Sequence, residues 1–192
     1  MVRWFTAWLE RLVRLGIDLA AALVGGILSA PLRGAQRAAS RGTVRRGTAE
    51  EVVDVRHAVL RAGKGRETAI FAGDDAPDTR HWVVDHDGRV IGAVSVMAAP
   101  MPDGGEARWQ LRGMGVLAEH RGLGLGEALL QATHRDVAAP MWCNARTGVV
   151  PFYARAGWTP LGAPFEVAGI GPHQRMVWRP RAGYGPTEDP TP

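Results

Sequence analysis

The chain has 192 residues, enough for one full domain plus an appendage, and 46% of them are apolar, so a real core can be buried. A single cysteine, Cys143, excludes an intrachain disulfide and a Cys-rich zinc site, and no His/Cys/carboxylate cluster has metal-ligand spacing; no metal is expected, and a reducing compartment fits. The net charge of +4 is unevenly placed: residues 1–46 hold eight arginines and two acids, so the rest of the chain carries −2, and the basic pI is no argument for nucleic-acid binding by the domain.

Residues 1–41 read as an appendage. From Trp4 to Asp18 the pattern is that of an amphipathic helix, with Arg3, Glu10, Arg14 and Asp18 along one face and Trp4, Phe5, Trp8, Leu12 and Leu15 on the other. The apolar run from Leu19 to Leu28 is shorter than the roughly 20 residues a membrane-spanning helix needs. Contact with an anionic membrane surface is one reading. Docking on the domain or a partner, or upstream sequence from an early start codon, are the others.

A domain is predicted over residues 42–180. Thr43 to Arg46 suits a short strand, and Thr48-Ala49-Glu50-Glu51 opens a helix running to about Leu60, whose apolar face is Val52, Val55, Val59 and Leu60. Ala62 to Thr79 is a polar connection grouping Asp74, Asp75 and Asp78. Next comes a hairpin, Trp82 to Met97, turned at Asp87-Gly88; its second arm is apolar on both faces and is expected at the centre of a sheet. In the following strand Trp109 and Leu111 share one parity, and Met114 and Val116 continue on the other. That slip around Gly113 predicts a β-bulge. Residues 181–192, with Pro186, Pro190 and Pro192 and no apolar face, read as a disordered tail.

After that strand comes Arg121-Gly122-Leu123-Gly124-Leu125-Gly126, opening a helix whose apolar positions are Leu125, Ala128, Leu129 and Ala132. Glycines let backbone approach a ligand closely, and the N–H groups of a first helical turn lack intrahelical acceptors, so the stretch suits a pyrophosphate. Downstream, Met141-Trp142-Cys143-Asn144-Ala145 is an apolar strand that makes Cys143 an inert core thiol. It leads to Pro151-Phe152-Tyr153-Ala154-Arg155-Ala156-Gly157-Trp158, a short helix with proline in its first turn and glycine past its end.

In order and spacing these segments resemble the Gcn5-related N-acetyltransferase (GNAT) family over roughly residues 43 to 180. Arg121, Gly124 and Gly126 match its Arg-x-x-Gly-x-Gly loop, and the Tyr153 segment its aromatic-Tyr-x-x-x-Gly-aromatic run. The resemblance implies an α/β fold with a mixed central sheet flanked by helices and a bulged fourth strand splayed from the fifth. It implies an acetyl-CoA-dependent enzyme that acetylates a primary amine of a small molecule or peptide by direct attack. The lone cysteine fits a cytoplasmic location, and the amphipathic pattern of residues 1–41 adds attachment at the inner membrane face as one reading. A homodimer is compatible.

Carried over residue by residue, Met114, Gly115 and Val116 meet the pantetheine arm, and Arg121, Gly122, Leu123, Gly124, Leu125 and Gly126 hold the pyrophosphate. The Val116 amide is the candidate for polarising the thioester carbonyl. Tyr153 is the candidate acid for the departing thiolate, against the alternative of a tyrosine that merely packs. Glu106 and His173 are candidate bases, each with an ordinary structural alternative. Asn144 is assigned to the cofactor, with the acceptor or a turn as alternatives. The asparagine that many members place just before the tyrosine helix is absent here; Arg146-Thr147-Gly148-Val149 occupies that approach, so that contact does not carry over, and either Asn144 is its displaced equivalent or Arg146 contacts phosphate instead. Asp74, Asp75 and Asp78 faintly favour a cationic acceptor, though such runs are usually solvated. The alternative from another class is a non-catalytic acyl-CoA-responsive module tethered by its N-terminal helix.

Overall fold

The computed structural model describes residues 42–181, so the readings for residues 1–41 and for the tail from 182 lie outside the described residues. Seven strands form one sheet: β1 (Thr43–Gly47), β2 (Arg80–His86), β3 (Arg89–Ala98), β4 (Trp109–Val116), β5 (Met141–Arg146), β6 (Thr159–Val167) and β7 (Gly171–Trp178). Their order is β1-β2-β3-β4-β5-β7-β6, and every neighbouring pair is antiparallel except β4 and β5. Among the described residues three α-helices accompany them: α1 (Ala49–Leu60), α2 (Leu125–Val137) and α3 (Val150–Arg155).

Local chemistry accounts for the boundaries. Thr48 Oγ1 accepts the Glu51 N–H while the Thr48 N–H donates to Glu51 Oε2, a reciprocal capping box that starts α1. The β2–β3 turn uses Asp87 (φ 52°) and Gly88 (φ 79°), both left-handed as a two-residue hairpin turn requires. β3, apolar on both faces, is central, with residues 91–96 buried. The polar connection from Ala62 to Thr79 forms a 3-10 turn, Arg66–Ala69.

The two faces of the sheet carry different helices. A side chain at Gly92, which pairs with Val116, would meet Leu129 of α2, and one at Gly115, next to Val116 and so on the other face, would meet Val59 of α1 only 3.0 Å away. α1 therefore covers one face and α2 the other, with α3 beside it. Tyr153, Cys143, Ala145, Leu129 and Leu130 belong to the main core under α2 and α3. Buried Cys143, its pKa pushed up by burial, is a core thiol. Among the described residues no helix is long and apolar enough to cross a membrane.

Candidate active site: a gap between two strands

β4 and β5 pair only at Trp109 with Met141 and Gln110 with Trp142. Both strands then continue, to Val116 and Arg146, without pairing to each other, so a gap opens at their C-terminal ends. The bulge supplies the bend. Ala93 faces Gly115 and Ser95 faces Arg112, leaving Gly113 and Met114 opposite Val94 alone, with Gly113 at φ +62°. A side chain at Gly113 would run into the Arg56 guanidinium, so both backbone and space demand glycine there.

The register also orients the backbone that lines the gap. Leu117 N–H donates to Ile91 O at 2.9 Å, which makes Gly92 and Val116 a non-hydrogen-bonded pair of the antiparallel ladder. The N–H and C=O of Val116 therefore point away from β3, into the gap, and by alternation so do those of Met114, while Gly115 serves the ladder. The Val116 carbonyl is met by Arg121, whose Nε donates to it at 3.2 Å; its N–H has no ladder partner on that side.

The glycine loop follows directly. Gly122 (φ 76°) and Gly124 (φ 80°) are left-handed, and no atom stands within 4 Å of where their side chains would be, so the loop faces open space. Gly124 is the N-cap of α2 and no side chain caps the helix; the Ala128 N–H makes the first bond, to Gly124 O at 3.0 Å. The amides of Leu125, Gly126 and Glu127 are thus left for another acceptor at the positive end of the helix dipole. Leu125 is buried and anchors the turn, whereas Leu123 is exposed. At Gly126 a side chain would press on Phe152, so that glycine allows α3 to approach.

Tyr153 closes the gap from the α2–α3 side. Its ring packs edge-on against Phe152 and Trp158, and its hydroxyl lies 3.5 Å from the Met114 sulfur. Burial, with Cys143 adding to it, pushes its pKa well above the ordinary phenol value, so it stays protonated.

His173 is placed at the same end of the sheet, opposite Arg146 in the β5–β7 ladder. Its Nδ1 is 2.7 Å from the Gly171 carbonyl. A carbonyl only accepts, so Nδ1 carries a hydrogen, and in the neutral ring Nε2 is the nitrogen with the lone pair.

Three residues stand elsewhere than expected. Glu106 lies before β4, at the end where β4 and β5 are still paired, and it ion-pairs with Arg179 just after β7. The length of β4, roughly 20 Å at about 3.3 Å per residue, separates it from Val116, whose amide faces the gap. Asn144 is the second: Cys143 and Ala145 point into the core with Tyr153, so Asn144, between them and exposed, projects on the α1 face, away from the glycine loop's helix. Arg146 shares that face and donates to Leu60 O at 3.1 Å, so it is not with the loop either.

The Asp74 group also differs from the solvated run expected. Asp75 and Asp78 are exposed, but Asp74 is buried and binds two arginines, Arg56 at 2.6 Å and Arg112 at 3.0 Å. Burial alone would raise its pKa; hydrogen bonds from Arg56 and the Phe71 N–H, with the charges of Arg56 and Arg112, outweigh this and hold it below the ordinary carboxylate range. Arg61 and Arg112, which flank the gap on the α1 face, carry no local signal, since only tertiary packing brings them there. Among the described residues no group of three or more His, Cys, Asp or Glu side chains is placed to hold a metal.

Residues 56–180 match the Acetyltransferase (GNAT) domain. The chain belongs to that family. Over 129 residues it is 34% identical to the uncharacterized N-acetyltransferase YitI of Bacillus subtilis (strain 168), covering 65% of this chain and 87% of that one. Among solved structures, Escherichia coli ElaA superposes with a TM-score of 0.59 at 17% identity, covering 72% of this chain and 99% of the other. An aminoglycoside 6'-N-acetyltransferase complexed with coenzyme A superposes with a TM-score of 0.58 at 14% identity, covering 72% and 98%. These distant matches share the fold. As a GNAT N-acetyltransferase the chain has the expected mixed sheet, with a bulged fourth strand splayed from the fifth.

Proposed function

We propose that the protein transfers an acetyl group from acetyl-CoA to a primary amine by direct attack. The observation that carries this reading is the unpaired edge of β4: Met114 and Val116 turn backbone donors and acceptors into a gap that β5 does not fill. An amide-containing pantetheine arm fits there as an added strand. The open glycine loop and uncapped start of α2 suit the pyrophosphate. The coenzyme A bound by the aminoglycoside enzyme of the same fold agrees with that donor.

In the reaction, the amine nitrogen bonds to the thioester carbonyl carbon and the C–S bond breaks. The Val116 N–H donates to the carbonyl oxygen as negative charge gathers there. His173 Nε2 takes the proton lost by the amine. Tyr153 gives its proton to the thiolate; the dry surroundings that keep the phenol protonated also raise the proton affinity of a thiolate beside it. With acetyl-CoA and a panel of primary amines, the full chain should release free CoA thiol together with one acetylated amine per thiol. Thiol release without an acetylated amine, or none with any amine, contradicts the reading.

A further inference from the structure

The α1 face of the gap is crowded with arginine. Around the ring of Phe71 stand the guanidiniums of Arg56, Arg61 and Arg112, at 4.4, 5.3 and 5.7 Å from its centroid. The carboxylate among them is Asp74, and it is fully used. One oxygen accepts from Arg56 and the Phe71 N–H, and the other from Arg56 and Arg112. Four bonds exhaust an ionised carboxylate. Arg112 Nε and Arg56 Nε are buried without a partner.

Arg61 and Arg146 have no carboxylate among the described residues. Arg61 donates to two carbonyls, Thr68 O at 3.2 Å and Leu60 O at 3.0 Å, and Arg146 donates to that same Leu60 O at 3.1 Å. Two guanidiniums thus converge on one carbonyl oxygen at the last residue of α1. The helix dipole there compensates only part of a unit charge. Burial depresses the pKa of Arg61 first, and the charges of Arg146 and Arg56 add to it, with no acid opposing them.

Position gives this pair a use. Arg146 ends β5 at the mouth of the gap, across the ladder from His173; Val59, two residues before Arg61, packs on Gly115 of the bulged strand. The glycine loop for the donor's phosphates leads into α2, on the opposite face. We infer that the acceptor amine carries an anionic group, a carboxylate or phosphate, that bridges Arg61 and Arg146 while its nitrogen lies in the gap near His173. Planar guanidinium forks suit either oxyanion. The inference rests on the proposed amine acetylation and reverses the faint preference for a cationic acceptor drawn from Asp74, Asp75 and Asp78.

Matched amines test it: ω-amino acids from glycine to 6-aminohexanoate, each beside its carboxamide and its phosphonate analogue. With the full chain and acetyl-CoA, kcat/KM corrected for free-amine fraction should favour an anionic member at least about tenfold, and the carboxylate-to-phosphonate ratio names the anion. In Arg61→Gln/Arg146→Gln that preference should shrink to within about twofold. Equal or better use of carboxamides overturns the inference and leaves amine acetylation standing. If no amine releases thiol, the acetylation reading fails. Calorimetric titration of the full chain with glutarate and with inorganic phosphate then decides the anion site alone: saturable binding of either, lost in the double variant, supports it, and no binding of either overturns it.

Discussion

The hydroxyl of Tyr153 lies 3.5 Å from the sulfur of Met114, bridging α3 to the bulged strand across the top of the gap. A thioether is a weak acceptor, so this buried phenol spends its proton on almost nothing within the protein. It is free to give that proton to a sulfur that carries charge.

Tyr153→Phe should therefore lower kcat by about 10²- to 10⁴-fold, the range for a lost general acid, and leave CoA affinity within about twofold. Thiol-release kinetics and calorimetry measure the two separately. A parallel loss of both would make Tyr153 a wall of the pocket.

His173→Gln keeps a ring-sized polar group but removes the Nε2 lone pair. The account predicts a fall in kcat/KM of about 10²-fold or more at neutral pH. The deficit should narrow as pH rises, because a larger share of the amine is then already neutral. A pH–rate profile parallel to the wild type would show that His173 does not take the proton.

Asp74→Asn would leave Arg56 buried, with a side chain that is 0% exposed, and without its counter-charge. The expected loss is about 3–5 kcal/mol in denaturant unfolding. Because the folded-state carboxyl is held below its ordinary value, its contribution is full above the unfolded pKa of about 4 and disappears as pH falls through the folded value. A loss below about 1 kcal/mol would mean that the arginines relax to solvent.

His134 sets a second, separate pH window. Its ring stacks on Trp178 with centroids 4.0 Å apart, and its Nε2 accepts from Trp158 Nε1 at 3.1 Å. Protonation would set donor against donor, and burial, aided by Arg135, lowers its pKa to about 4. The unfolded chain binds this proton near pH 6.5, so stability is full above that value and falls progressively down to about pH 4. The drop is on the order of 3 kcal/mol. Thermal unfolding at pH 7 and pH 5 should show a smaller difference for His134→Gln than for the wild type. Equal differences would assign the acid sensitivity elsewhere.

What could be read from the sequence was local. The cap at Thr48 and Glu51, the turn at Asp87-Gly88, the parity slip around Gly113 and the glycine loop opening a helix at Leu125 all signal within a few residues, and the structure has each of these local features there. What could not be read was long-range. Glu106 sits at the head of the bulged strand, as its position in the chain requires, but only the β4–β5 pairing reveals that the gap opens at the other end. Asp74 looks like part of a solvated acidic loop until Arg56 and Arg112, 18 and 38 residues away, close on it. The convergence of Arg61 and Arg146 on Leu60 spans 86 residues for one of its bonds and follows no periodicity.

If an acyl-CoA enters between β4 and β5 with its phosphates on the glycine loop, calorimetric titration of the full chain with acetyl-CoA should detect it. Gly124→Glu places a carboxylate in the open space above the loop, and Gly124→Ala controls for the cost of a side chain at φ +80°. The wild type should bind saturably, the alanine variant should retain binding within about tenfold, and the glutamate variant should lose it while both stay folded. Binding that survives Gly124→Glu, or a folded wild type that binds no acetyl-CoA, would contradict it.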